Sequence, residues 1–126
     1  MEIYDVVDED DKVIGKATRK KIHDKRLIHR SVMFFIFDKK GRIFVTQRTK
    51  HKEFYKEYWS IVLGGHVNSG ETYEEAAIRE CKEETGMENK PVFMGSFKQR
   101  ILEEKENVKV YAFYTDKFPK LDTFEI

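Results

Sequence analysis

The chain reads as an α+β domain, a series of short strands interrupted by one strong helix. Three features carry that reading. At 126 residues, with 40% hydrophobic and 13% aromatic side chains, the chain can bury a single core of ordinary size and lacks the composition of a disordered one. Short apolar segments recur with turn residues between them. Residues 72–86 carry both a start and a stop signal for a helix.

Taken in order, "EIYDVV" (2–7) and "VIGKATR" (13–19) flank the turn "DEDDK" and predict a hairpin. "RKKIHDKRLIH" (19–29) is basic and fits either a short helix or a loop. "SVMFFIF" (31–37) and "RIFVTQR" (42–48) flank "DKKG", where Gly41 can supply a positive φ, so a second hairpin is expected. The first of these segments is apolar on both faces, as a central strand is. "HKEFYKEY" reads as loop and "WSIVL" (59–63) as a strand, followed by the glycine-rich turn "LGGHVNSGE". After the helix, "PVFMGSFKQR" (91–100) and "VKVYAFYT" (108–115) are again strand-like. No linker, repeat or low-complexity tract divides residues 1–126, which predicts one domain.

Charge narrows the functional classes. Charged residues reach 37%, yet the formal net charge is only +1, so no global field points to a nucleic-acid polymer or to a basic partner. The longest apolar run, "VMFFIF", is far too short to span a bilayer, and "MEIYDVVDEDD" lacks the basic and apolar regions of a signal peptide. The lone Cys81 excludes an internal disulfide. A cytoplasmic location without membrane attachment is the default expectation.

The informative stretch is "GGHVNSGETYEEAAIRECKEETGME", residues 64–88, with six glutamates between Glu71 and Glu84. Thr72 and Glu75 form a capping box and Gly86 stands where a helix ends, which places the helix near residues 73–85. At about 100° per residue, Tyr73, Ala76, Ala77 and Cys81 share one side, with Ile78 at its margin. A plain surface helix would set its glutamates opposite that side, where Glu75, Arg79 and Lys82 fall. Glu80, Glu83 and Glu84 instead project on or beside the inward face. Three carboxylates at i, i+3 and i+4 converge, and their repulsion in a partly buried site would cost several kcal/mol. A hard divalent cation resolves this best, since Mg²⁺ prefers oxygen ligands and is commonly shared between carboxylates and substrate phosphates. The two alanines leave room for it, and the glycines ahead of the helix let backbone carbonyls approach.

Gly65, Glu71 and "RECKEETGM" resemble the Nudix box, G-x5-E-x7-R-E-U-x-E-E-x-G-U, with all seven fixed positions present and Cys81 and Met87 at the apolar ones. The resemblance implies an α/β/α sandwich around a mixed sheet and attack of water on a diphosphate linked to a group X, with Mg²⁺ or Mn²⁺ as cofactor. It implies that Glu80, Glu83 and Glu84 hold metal together with a carbonyl of Gly64 or Gly65, and that Arg79 pairs with Glu71 to steady the loop. A downstream glutamate often completes such sites; Glu103, Glu104 and Glu106 are the candidates, and the sequence does not select among them. The implied partner is a small-molecule diphosphate.

Over nearly the whole chain, "YDVVDEDDKVIGKATRKKIHDKRLIHRSVMFFIFDKKGRIFVTQRTKHK" and "YWS" resemble the isopentenyl-diphosphate isomerase branch of the superfamily. On that resemblance His23, His29 and His66 match metal-binding histidines, and Arg19, Arg48 and Lys52 match residues that hold the diphosphate. Two departures argue for hydrolysis instead. Gly64 stands where the isomerase has its catalytic cysteine, and the box that the isomerase degrades is intact here. A diphosphate hydrolase is therefore the leading expectation, ahead of a prenyl-diphosphate isomerase and of an inactive diphosphate-binding module.

Plainer roles compete for several residues. The histidines can be polar surface groups, with His66 closer to substrate than to metal. Arg48 can form a surface ion pair, and the basic run Arg19–Arg30 can be a solvated turn. Phe54, Tyr55, Tyr58 and Trp59 can stack on a base but fit loop packing better. Cys81 is expected to be buried and inert. Family members usually add a strand and a closing helix where "KFPKLDTFEI" stops, so the domain is expected to be either compact or a shortened form. In the latter case dimerisation could cover the exposed apolar face.

Overall fold

The computed structural model describes residues 2–44, 46, 47, 59, 60, 62–101 and 104–116. Eight strands and two helices occur among them: β1 (Ile3–Val7), β2 (Val13–Thr18), α1 (Arg19–Lys25), β3 (Ile28–Asp38), β4 (Thr46–Gln47), β5 (Trp59–Ser60), β6 (Leu63–His66), α2 (Tyr73–Thr85), β7 (Val92–Ile101) and β8 (Glu104–Thr115). The central sheet is mixed, in the order β6-β3-β8-β7. Its β3–β8 pairing is parallel over the full length of β3, whereas β6 and β7 pair antiparallel with their neighbours. The α+β class and the mixed sheet follow the sequence expectation, and β3 is indeed central.

The capping signals act as read. Thr72 accepts a hydrogen bond from the Glu75 amide, the Glu75 side chain accepts one from the Thr72 amide, and Gly86 ends α2 with φ +80°. Tyr73, Ala76, Ala77 and Cys81 are buried, and Ile78 packs at the margin. Their face covers Val32, Phe34 and Ile36 of β3 and Leu63 of β6, where Phe34 meets Phe113 of β8 edge to face at 5.3 Å. The ambiguous basic segment forms α1, capped by Thr18 and ended by Arg26 in the left-handed region at φ 54°. Ile22 is its buried residue and joins Tyr4, Val6 and Ala17 in a second, smaller core under the β1–β2 hairpin.

Two expected elements come out differently. The "DKKG" turn forms, with the Asp38 carboxylate accepting from the Lys40 and Arg42 amides and from Arg42 Nε, and Gly41 at φ +79°. Of the strand expected after it, the described residues show a bridge between Phe37 and Ile43, backbone bonds from Asp38 to Arg42 and from Phe44 to Ile36, and the two-residue strand β4. The expected strand 59–63 is divided: Trp59–Ser60 pairs with Thr46–Gln47, and Leu63–His66 pairs with β3. One cause accounts for both. One edge of β3 is wholly taken by β8, so β6 (on Ser31–Phe34) and the Ile43 segment (on Ile36–Phe37) must share the other. As a result Gly64 and Gly65 lie within β6, where the sequence suggested a turn. A Cβ at Gly64 would collide with the Val32 carbonyl oxygen, so this close strand contact requires a glycine.

The β1–β2 hairpin is tied to the sheet through Asp11, a non-glycine residue at φ 64°. Its carboxylate accepts from Arg30 Nε at 3.1 Å, Tyr73 Oη at 2.9 Å and Asn107 Nδ2 at 2.9 Å, while Arg30 Nη2 donates to its backbone carbonyl at 2.6 Å. Burial pushes the Asp11 carboxyl up, but the hydrogen bonds from Asn107, Tyr73 and Arg30 outweigh it and hold the group below its ordinary 3.8.

Two tests follow from these contacts. A depressed carboxyl stabilises the fold above its unfolded pKa and loses that contribution as pH falls through the folded value. Denaturant titrations below pH 3.8 should therefore show a shallower acid loss in Asp11→Asn than in the wild type; equal slopes would mean that Asp11 contributes nothing to acid sensitivity. Gly64→Ala should destabilise by about 1–3 kcal/mol, the usual cost of forcing a group into filled space, and an unchanged denaturation midpoint would show that β6 yields freely.

Candidate functional site

Strand β6 is the axis of the site, with α2 on one side and the start of β8 on the other. On the helix side, the Arg79 guanidinium donates from Nε to Glu71 Oε2 at 2.8 Å and from Nη2 to Glu71 Oε1 at 3.0 Å. The same group donates from Nη1 to Glu80 Oε1 at 2.8 Å and from Nη2 to the His66 carbonyl at 2.9 Å. The Arg79–Glu71 pair implied by the family resemblance thus forms. Arg79 was expected on the solvent side of the helix; instead its side chain is only 27% exposed, because it folds back over the loop to reach these acceptors.

Glu80 packs against the backbone of Gly65 so closely that a Cβ there would occupy the space of its carboxylate. Burial pushes the Glu80 carboxyl up; Arg79 opposes this, and the charges of Glu83 and Glu84 add to it. Glu71 behaves oppositely. Burial alone would raise it, but hydrogen bonds from Arg79 and the Asn68 amide bring it below the ordinary carboxylate value. Glu83 is more open, at 59% side-chain exposure, with Arg79 Nη1 3.5 Å away. Glu84 is partly buried. All three carboxylates lie on α2, and the charged form of Glu80 is disfavoured by its surroundings. Such an oxygen-only donor set fits a hard divalent cation.

On the β8 side a second group assembles that helix periodicity could not reveal. His29 Nε2 and His66 Nε2 lie 3.7 and 3.8 Å from Glu106 Oε2, and one ligand atom from each residue falls within 4.8 Å of the others. His29 also lies 4.0 Å from Glu104, and His23 Nδ1 lies 3.4 Å from the other oxygen of that carboxylate. The imidazoles of His29 and His66 stand 5.1 Å apart, with the Tyr4 ring 5.1 Å from His66. Burial and the neighbouring His29 push His66 below its ordinary value, against the pull of Glu106. The nitrogen and oxygen donors of this group fit a borderline divalent ion such as Zn²⁺.

Among the downstream glutamates, Glu106 is the one beside His29 and His66, and it lines a recess with Ser31, Val32, Gly64 and Gly65. Glu104 faces His23, and Glu103 lies outside the described residues. A cavity of about 560 Å³ opens beside this group, lined by Tyr4, Arg19, Ile22, His23, His29, His66 and Glu104 among others. Arg19 is therefore at the site; Arg48 and Lys52 lie outside the described residues, as do Phe54, Tyr55 and Tyr58. Sequence reasoning missed Tyr4, which comes from the first strand with no motif to mark it. It matched His29 to a metal-binding histidine and held Glu106 as one of three candidate glutamates without bringing them together; parallel pairing of His29 with Glu106 makes them neighbours across β3 and β8. Among the described residues no helix is long and apolar enough to cross a membrane.

Comparison with known proteins identifies the family. The NUDIX domain family model matches residues 27–123. A protein named an uncharacterised Nudix hydrolase in Streptomyces coelicolor is 41% identical over 90 residues, which cover 71% of this chain and 50% of that protein. A protein named isopentenyl-diphosphate Δ-isomerase in Serratia proteamaculans is 36% identical over 85 residues, covering 68% and 48%. The chain thus spans about half the length of the curated relatives it matches. Among solved structures, a Deinococcus radiodurans crystal structure superposes with a TM-score of 0.77 at 30% identity, covering 99% of this chain and 79% of that one. A MutT protein of Methanosarcina mazei follows at 0.62 and 28%, covering 78% and 71%. Given the family match, the loop and helix carrying Glu71, Arg79, Glu80, Glu83 and Glu84, and the mixed sheet beneath them, the chain belongs to the Nudix family.

Proposed function

We propose that the chain is a divalent-metal-dependent hydrolase that cleaves the diphosphate bond of a nucleoside diphosphate linked to a group X, or of a related small molecule. The observation that carries this reading is the placement of Glu80 against Gly65, held there by Arg79, with Glu83 and Glu84 on the same helix. In this reading Glu80, Glu83 and Glu84, with a carbonyl of Gly64 or Gly65, hold Mg²⁺ or Mn²⁺. The bound ion would neutralise phosphate oxygens and lower the pKa of a water. Glu71 and Arg79 keep Glu80 oriented, and Arg79 offsets part of the carboxylate charge. Arg19, which lines the cavity, would supply a cation for the diphosphate, a role also proposed for Arg48 and Lys52 outside the described residues. His66, proposed to contact substrate, lies on β6 between the glutamates of α2 and the group of His29 and Glu106.

A second reading, prenyl-diphosphate isomerisation, is favoured by the group of His23, His29, His66, Glu104 and Glu106 and by relatives named isomerases. Gly64 opposes it. The position carries no thiol, and the Val32 carbonyl leaves no room for a side chain there.

Incubating the protein with nucleotide sugars, dinucleotides, oxidised nucleotides and prenyl diphosphates in Mg²⁺, and measuring phosphate after phosphatase coupling, tests the hydrolase reading and identifies X. Release of phosphate from none of them would count against it, and conversion of isopentenyl to dimethylallyl diphosphate would favour the second reading.

Glu80→Gln and Glu83→Gln should each reduce turnover by on the order of a hundredfold, since a displacement of about 1 Å in a reacting group has that effect. In metal-free buffer Glu80→Gln should melt no lower than the wild type, because a carboxylate whose charge is disfavoured becomes neutral. Full activity combined with reduced stability would assign the glutamates a structural role instead. Mg²⁺ should also raise the melting temperature by binding the folded state only. A rise of equal size in Glu84→Gln would remove Glu84 from the ligand set.

A further inference from the structure

The residues matched by the family model begin at 27, yet a side chain well before them grips the loop that precedes α2. Asp5 of β1 is 7% exposed. Its Oδ1 accepts from Ser69 Oγ at 2.8 Å and its Oδ2 from the Gly70 amide at 3.1 Å. The backbone reinforces the contact: the Ser69 amide donates to the Ile3 carbonyl at 2.8 Å, and Tyr4 bridges Asn68. Two donors on a nearly buried carboxylate form charge-assisted bonds, stronger than neutral ones. They hold a loop whose next residue is Glu71.

From that loop a continuous set of hydrogen bonds leads to Glu80, one of the proposed metal ligands. The Asn68 amide donates to Glu71 Oε1 at 3.0 Å, and the Glu71 amide donates back to the Asn68 carbonyl at 3.0 Å. Glu71 then holds Arg79 by two bonds, and Arg79 holds Glu80. Gly70, at φ +82°, lets the chain turn tightly enough for Asp5 to reach its amide. Resting on the hydrolase reading of the site, we infer that Asp5 is a positioning residue. The N-terminal hairpin clips the loop in place through Asp5 and thereby aligns Glu71, Arg79 and Glu80, while the hydrogen bonds of the Asp5 carboxylate itself come from Ser69 and Gly70.

The test compares wild type, Asp5→Ala, Asp5→Asn and Val7→Ala; Val7 lies in the same strand and is buried, but its side chain makes no hydrogen bond to the loop. Two readouts are needed. The first is Mn²⁺ affinity by electron paramagnetic resonance, with kcat and KM on whichever diphosphate is cleaved. Asp5→Ala should weaken Mn²⁺ binding or lower kcat by about tenfold or more, as loss of an outer-shell partner does, with little change in KM. Asp5→Asn, which keeps an acceptor oxygen, should recover much of this, and Val7→Ala should lower the melting temperature while leaving Mn²⁺ affinity and kcat near wild type. The second readout is hydrogen exchange at the amides of residues 68–71 and at Arg79 Nε–H, measured without metal. Exchange should quicken in Asp5→Ala and not in Val7→Ala. If Asp5→Ala merely melts lower, with exchange and Mn²⁺ affinity as in the wild type, the inference is overturned. Should the wild type bind no Mn²⁺ and cleave no diphosphate, the hydrolase reading falls, and the clip is decided by the exchange measurement alone.

Discussion

The guanidinium of Arg79 is the interaction on which the rest of the site depends. It lies on α2, yet it reaches Glu71 in the preceding loop, Glu80 on its own helix and the carbonyl of His66 on β6. One planar group with several donors therefore fixes three separate pieces of backbone relative to one another, which a lysine's single ammonium could not do in that geometry. Burial strengthens the arrangement and also constrains it. With Arg79 a carboxylate can be kept beside the Gly65 backbone; without it Glu80 would be a buried anion flanked by two more.

Around that anchor the site divides by donor chemistry. The helix side offers carboxylates only. The β8 side offers two imidazoles and Glu106, brought together by parallel pairing of β3 with β8 and antiparallel pairing of β3 with β6. Strand β6 separates the groups and belongs to both, since Gly65 touches Glu80 while His66 joins His29 and Glu106. Its glycines allow this double duty. A side chain at Gly64 would strike β3, and one at Gly65 would displace Glu80. The N-terminal hairpin then closes the structure from a third side, through Asp11 onto Arg30, Tyr73 and Asn107 and through Tyr4 onto the histidines.

Much of this was legible in the sequence. The limits of α2 follow from Thr72, Glu75 and Gly86, whose effects are local hydrogen bonds and one backbone dihedral angle. Its buried face follows from helical periodicity alone, and so does the placement of Glu80, Glu83 and Glu84 on α2, whereas the donor atoms that come within 4.8 Å of one another are those of His29, His66 and Glu106. The β1–β2 hairpin was legible because neighbouring apolar segments with a turn between them have few other partners, whereas β7 and β8 were legible only as strands, and their antiparallel pairing and the start of β8 at Glu104 were not. Where the reading failed, two segments competed for one partner. "RIFVTQR" and "WSIVL" each look like a full strand, but both seek the same free edge of β3, and no pattern internal to either segment records that competition.

What the sequence determined by itself was therefore set by spacing along the chain: the helix and its caps, the placement of its glutamates, the family motif and the α+β class. What only the tertiary structure decided was set by register between elements distant in the chain. His29 meets Glu106 across seventy-seven positions because β3 and β8 run parallel at that offset, and Asp5 meets Ser69 across sixty-four because a hairpin lies over a loop. The inward turn of Arg79 belongs with these. Helical periodicity put it toward solvent, but a long side chain goes where its acceptors are, and Glu71 and the His66 carbonyl take their positions only once β6 has docked on β3.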